Sequence, residues 1–211
     1  MKSIIMFAIM TFGLYANEFT QAVEDYNKGE YEKAFDTFYI LAKDGNAKAQ
    51  YNTGLLYALG KGAQKDLPQA KKWYEKAAKQ GNAAAQYNLA KMYHGSGQTD
   101  EHAYEKAKYW YEKAVKGGIV QAYNNLASLY IDGLGVEKNE QKALDLFKEA
   151  ASKGNASAQV NLAVLYAWGE DVTHDKMKAY ENFRAALKNG KSEASGYLDK
   201  LCQESAWVCK D

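Results

Sequence analysis

This chain carries no marked excess of positive or negative charge. Beyond its first 16 residues the 211-residue sequence carries 26 basic and 26 acidic side chains, with no basic tail or stripe. That balance argues against nucleic acid and against anionic lipid surfaces as partners. Histidine is scarce: His94, His102 and His174 show neither HxH nor HExxH spacing, so no metal site is expected. None of the eight serines has a lysine three residues on, so the serine–lysine pair of an acyl-transfer enzyme is lacking. The sequence therefore offers no catalytic residue and implies no cofactor. Long apolar runs are also lacking. Ile4 to Tyr15 is a run of about 12 residues, too short to span a bilayer, and no other segment is longer.

That run has the pattern of a secretory signal peptide: Lys2 as a short basic region, an apolar stretch, and Ala16 as a small residue at a cleavage point. Cleavage there would leave a mature chain beginning at Asn17, periplasmic or secreted and not inserted in the membrane. An uncleaved anchor is the alternative, since Leu14 is not ideal before the cleavage site. The only cysteines are Cys202 and Cys209. In an exported chain they are expected to pair. Seven residues on one continuous helix rise about 10 Å, beyond the reach of a disulfide. The helix must then stop near Cys202 and the tail fold back. Two free thiols in a cytosolic tail are the other reading.

What the chain does have is a period. Alanines recur at Ala49, Ala85, Ala122 and Ala158, tyrosines at Tyr57, Tyr93, Tyr130 and Tyr166, and closing glycines at Gly81, Gly118, Gly154 and Gly190, always 36 or 37 residues apart. A period of this size marks stacked supersecondary units. Counted from Ala49, apolar or small residues fall at +0, +4, +5, +7 and +8, one face of a helix. Glycine-rich turns follow, whose GxG pairs are turn residues because no strand precedes them. Asp66, Asn139 and Asp175 then stand as N-caps of a second helix. Ala103 breaks that pattern in the second unit, where Thr99 or Asp100 takes the role. Pro68 is tolerated in a first turn. The second helices carry stripes such as Ala70, Trp73, Tyr74, Ala77 and Ala78, with Trp73 and Trp110 expected in the core. The fold class is all-α, a right-handed α-solenoid of antiparallel helix pairs. Its parts are a leader at 1–16, a helical hairpin at 17–46, repeats at 47–82, 83–118, 119–154 and 155–190, and a capping helix with a disulfide-linked tail at 191–211.

The pattern AxAQYNxGxxYxxGxG…KAxxWYxKAAxxGN resembles the Sel-one-like repeat, a relative of the tetratricopeptide repeat. An exported array with paired cysteines is similar to the secreted cysteine-rich Sel-one-like proteins of Helicobacter. That family has a disulfide in most repeats, whereas this chain has one pair at its end. The resemblance implies β-lactam binding or hydrolysis as an alternative activity, and the departure in cysteines weakens that transfer.

The surface singled out by the count is the first-helix side, expected to line a concave groove. Positions +2, +6 and +9 lie opposite the apolar arc: Tyr51, Leu55 and Ala58; Tyr87, Lys91 and His94; Asn124, Ser128 and Ile131; Val160, Val164 and Ala167. So apolar an outer face suggests a partner surface. At +3 stand Asn52, Asn88, Asn125 and Asn161. An amide offers donor and acceptor together, so this ladder could hold a peptide backbone, as related asparagines do in tetratricopeptide proteins. Bridging between repeats would produce the same recurrence. Gln50, Gln86 and Gln159 point into the arc and are expected to bond between repeats. The expected role is an exported, monomeric scaffold whose partner is a protein or peptide.

Overall fold

A computed structural model describes residues 17–97, 100 and 102–209; the expected leader lies outside them. Among the described residues the chain is all-α, without a strand, and consecutive helices pack in pairs as in an α-solenoid. The helices are α1 (17–28), α2 (Tyr31–Lys43), α3 (Ala47–Leu59), α4 (Leu67–Lys79), α5 (Ala83–Ser96), α6 (His102–Lys116), α7 (Val120–Asp132), α8 (Glu140–Ser152), α9 (Ala156–Trp168), α10 (Lys176–Lys188) and α11 (Ala194–Glu204). A short 3-10 helix, Ala206–Cys209, follows. The chain divides into two compact units, one ending at Leu89 and one beginning at Ala90.

In the first unit Ala34, Ala49 and Ala70 are fully buried. A methyl group at these contacts lets helix axes come close. Around them Phe38, Leu41, Leu56 and Trp73 fill one core. Burying a side chain of this size contributes about 1.5–3 kcal/mol. In the second unit Ala107, Ala122, Ala143, Ala158, Ala179 and Ala194 are buried in the same way, with Tyr111, Phe147 and Phe183 beside them.

The predicted second-helix caps are present: Asp66, Asn139 and Asp175 accept from the backbone N–H of Gln69, Lys142 and Lys178 at 2.8–3.0 Å. Asp100 takes that place before α6, accepting from His102 N–H at 3.1 Å; Thr99 lies outside the described residues. First-helix caps add a device that the apolar count did not reveal. Asn46, Asn82 and Asn155 accept from Ala49, Ala85 and Ala158 N–H at 2.9–3.0 Å. Each such cap contributes about 1 kcal/mol. Ile119 stands in that position before α7 and has no side-chain cap.

In the first and third GxG turns the second glycine touches the preceding repeat, whereas Gly97 of the second turn lies against the Tyr104 ring of its own repeat. A Cβ on Gly62 would lie 2.1 Å from the Tyr31 carbonyl oxygen, and one on Gly135 would lie 2.7 Å from the Glu105 nitrogen. Both glycines also have positive φ. Backbone packs on backbone there, and only glycine fits. The fourth turn keeps a single glycine. Glu140, nearly buried at the start of α8, accepts instead from the N–H of Glu170 and Asp171, both at 2.9 Å.

Two expectations change, and that of the terminal bridge holds. Trp110 is half-buried rather than core, edge-on to exposed Tyr109 at 4.9 Å. Val160 and Ala167 are buried, so the fourth first helix does not present them outward. At the end of the chain α11 stops at Glu204 and the 3-10 turn folds back. Cys202 and Cys209 come to a Cα separation of 5.7 Å and form a disulfide.

Candidate functional site

The glutamines act as joints between repeats. In the first unit Gln50 Nε2 donates to the Ala42 carbonyl at 3.1 Å, while its Oε1 accepts from Gln80 at 2.8 Å. In the second unit Gln159 donates to the Ala151 carbonyl at 3.5 Å and accepts from Asn189 at 2.9 Å. Gln86 donates to the Ala78 carbonyl at 3.1 Å. These amides are satisfied internally, which disposes of their burial cost.

The asparagines at +3 have different surroundings, and one position decides between them. Fourteen residues before each lies an aromatic of the preceding second helix: Phe38, Tyr74, Tyr111 and Phe147. Where it is tyrosine, the asparagine meets the phenol. Asn88 hydrogen-bonds the hydroxyls of Tyr51 and Tyr74. Burial pushes both phenols upward from their ordinary pKa, and the bond to Asn88 opposes this. Asn125 Nδ2 donates to the Tyr111 hydroxyl at 3.3 Å, and that hydroxyl lies 3.3 Å from His94 Nδ1. Burial holds His94 below its ordinary pKa.

Where the aromatic is phenylalanine, no hydroxyl reaches the amide and a cavity opens. In the first unit Asn52 lines about 100 Å³ with Val23, Tyr26, Phe38, Leu55 and Leu56. In the second unit Asn161 lines about 240 Å³ with Ser128, Ile131, Asp132, Phe147, Val164 and Leu165. The two sites use corresponding positions of the repeat. At the last joint Phe183 meets Tyr197 in place of an asparagine. The rings stack at 5.7 Å.

Asn161 is also tied into a polar thread. Its Nδ2 donates to Asn124 Oδ1 at 3.0 Å, and Asn124 Nδ2 donates to Asn125 Oδ1 at 3.2 Å. Ser128 Oγ donates to the Asn124 carbonyl at 3.2 Å. Tyr51 and Tyr87 are half-buried, with Tyr51 packed 5.9 Å from Tyr74; Lys91 is exposed. The asparagine series therefore splits into amides bonded to tyrosine and amides lining cavities. The signal that separates them, tyrosine against phenylalanine fourteen residues upstream, stands in the sequence but belongs to the neighbouring repeat. Among the described residues no group of histidine, cysteine or carboxylate side chains could hold a metal ion. No described helix is long and apolar enough to cross a membrane.

The family model described as Sel1 repeat matches residues 47–82, 83–119, 120–155 and 156–191. Among solved structures the chain is similar to a Sel1 repeat protein from Oxalobacter formigenes. The identity is 30%, over 85% of this chain and 75% of that one, with a TM-score of 0.74. It is also similar to c5321, a protective antigen of uropathogenic Escherichia coli strains displaying an SLR fold. There the identity is 28%, over 93% of this chain but 43% of that one, with a TM-score of 0.81. The immunity protein Pa5087 of Pseudomonas aeruginosa shares the fold at 22% identity, over 82% of this chain and 68% of that one, with a TM-score of 0.54. No curated protein matches the chain.

Proposed function

The chain belongs to the Sel1 repeat family, and from that premise we propose an exported, non-enzymatic scaffold that holds a protein or peptide segment against the first-helix faces of its repeats. Scaffolds of this family typically serve protein–protein interaction. The observation that carries the reading is a cavity found in each unit, an asparagine amide set among apolar walls. An amide can take a peptide N–H or carbonyl, while an apolar recess takes a side chain. That pairing suits an extended segment. Export is supported by the Cys202–Cys209 bridge, which is compatible with an oxidising compartment.

The test is affinity capture with the chain starting at Asn17, compared with an Asn52→Ala/Asn161→Ala variant of equal helicity and melting behaviour. Partners retained by the wild type and lost by the variant are the expected result. Equal capture by both would remove the asparagines from the binding face. N-terminal sequencing of the exported protein should begin at Asn17, and a retained leader would remove the export reading.

A further inference from the structure

The two cavities differ in chemistry. Val23, Leu55 and Leu56 give the first an apolar wall, whereas the second has Ser128 and Asp132 at its edge. Asp132 is the exposed last residue of α7. An anion at a helix C-terminus meets the negative end of the helix dipole and is disfavoured there. No ion pair of Asp132 occurs among the described residues. Burial lowers the pKa of nearby His94, and the Asp132 carboxylate opposes that shift. Asn161 spends an Nδ2 hydrogen on Asn124, which leaves its carbonyl oxygen to accept. A cation at this edge would meet a carboxylate, an amide carbonyl and the negative end of a helix together.

Size narrows the ligand. Small-molecule pockets run about 300–1,000 Å³, and 240 Å³ falls short of that. It exceeds the volume of several waters at about 30 Å³ each. One long side chain is the natural occupant. Ile131, Val164 and Phe147 offer apolar walls to a methylene stem, which buries readily while its head stays polar.

We propose that this cavity is a subsite for a lysine or arginine side chain of the bound segment, with the stem between Ile131, Val164 and Phe147 and the head at Asp132 and Asn161. The proposal rests on the scaffold reading above and sharpens it: the second unit selects a basic residue, and the first an apolar one.

The experiment uses blocked pentapeptides, acetyl-Ala-Ala-Xaa-Ala-Ala-amide, with Xaa lysine, arginine, norleucine or glutamate. Each is titrated to millimolar concentration into the isotope-labelled chain beginning at Asn17 and followed by amide shifts. Lysine and arginine peptides should move residues 128–132 and 161–165 at least tenfold more tightly than norleucine, and glutamate should not move them. Asp132→Asn should reduce lysine to the norleucine level. Phe147→Tyr places a hydroxyl beside Asn161, as Tyr111 does beside Asn125. It should abolish binding while the melting midpoint stays equal or rises, which separates occlusion from misfolding.

Equal binding of lysine and norleucine, unchanged binding by Phe147→Tyr, or no shifts at this cavity would overturn the subsite. Shifts on other first-helix faces, with partner capture intact in Asp132→Asn, would overturn it while leaving the scaffold reading standing. No shift on any face, with capture indifferent to the asparagine substitutions, would remove both.

Discussion

Replacing Glu140 should loosen the fourth repeat more than any exposed charge could. Its carboxylate is nearly buried. One oxygen accepts from the N–H of Glu170 and Asp171 at 2.9 Å, and the other lies 3.5 Å from Lys138 Nζ. Hydrogen bonds to a charged acceptor contribute about 1.5–3 kcal/mol each. The lysine contact is half-exposed and adds less than about 1 kcal/mol. Water reaches the freed N–H groups, since Glu170 and Asp171 are exposed. Glu140→Ala should therefore cost about 2–4 kcal/mol, or about 5–10 °C in melting midpoint for a chain of this size. Glu140→Gln keeps an acceptor without charge and should lose about half as much. Urea unfolding gives the energies, and amide hydrogen exchange over residues 169–175 gives the location. A Glu140→Ala variant within 0.5 kcal/mol of wild type, or a glutamine variant as weak as the alanine one, would refute the reasoning.

Reduction of the Cys202–Cys209 bridge, or Cys202→Ser, should lower stability by roughly 2 kcal/mol for so short a loop, with increased exchange confined to α11 and the tail. Gly62→Ala should cost more than about 2 kcal/mol through its collision with the Tyr31 carbonyl, whereas Gly81→Ala, with open space around its Cβ, should cost only about 1 kcal/mol of backbone strain; chemical denaturation of both variants compares them. Asp25 is held below the usual carboxylate range by a hydrogen bond from Gln21, with Lys33 adding to it against the opposing effect of burial. A depressed pKa contributes stability that is present above the unfolded value and lost as pH falls through the folded one. Urea midpoints between pH 6 and pH 2 should fall in the wild type and fall less steeply in Asp25→Asn, and parallel curves would contradict it.

The repeat, its second-helix caps and its buried glutamines were legible because each follows from spacing within one unit. Asp66, Asn139 and Asp175 stand in one register and do cap. What was not legible depends on two units at once. A helical wheel has one buried face, but a helix stacked in an array touches neighbours on more than one side. Val160 and Ala167 are therefore covered although they lie opposite the apolar arc. The asparagines looked alike for the same reason. Only the upstream residue, Phe147 or Tyr111, decides whether the amide lines a cavity or meets a hydroxyl. Trp110 matched Trp73 by register, yet it is only half-covered beside Tyr109.

The glutamine joint has one replacement whose consequence is mechanical. Where Gln50 meets Gln80 and Gln159 meets Asn189, the third repeat places Tyr123, with Lys153 Nζ 5.2 Å from its ring. An amide pair resists sliding because its bonds are directional and break over a fraction of an ångström. A cation over a ring face has no such stop and tolerates lateral shift. At this joint directional hydrogen bonding therefore passes from an amide pair to Asn125 and the Tyr111 hydroxyl, so a pull on the ends of the second unit would load that contact.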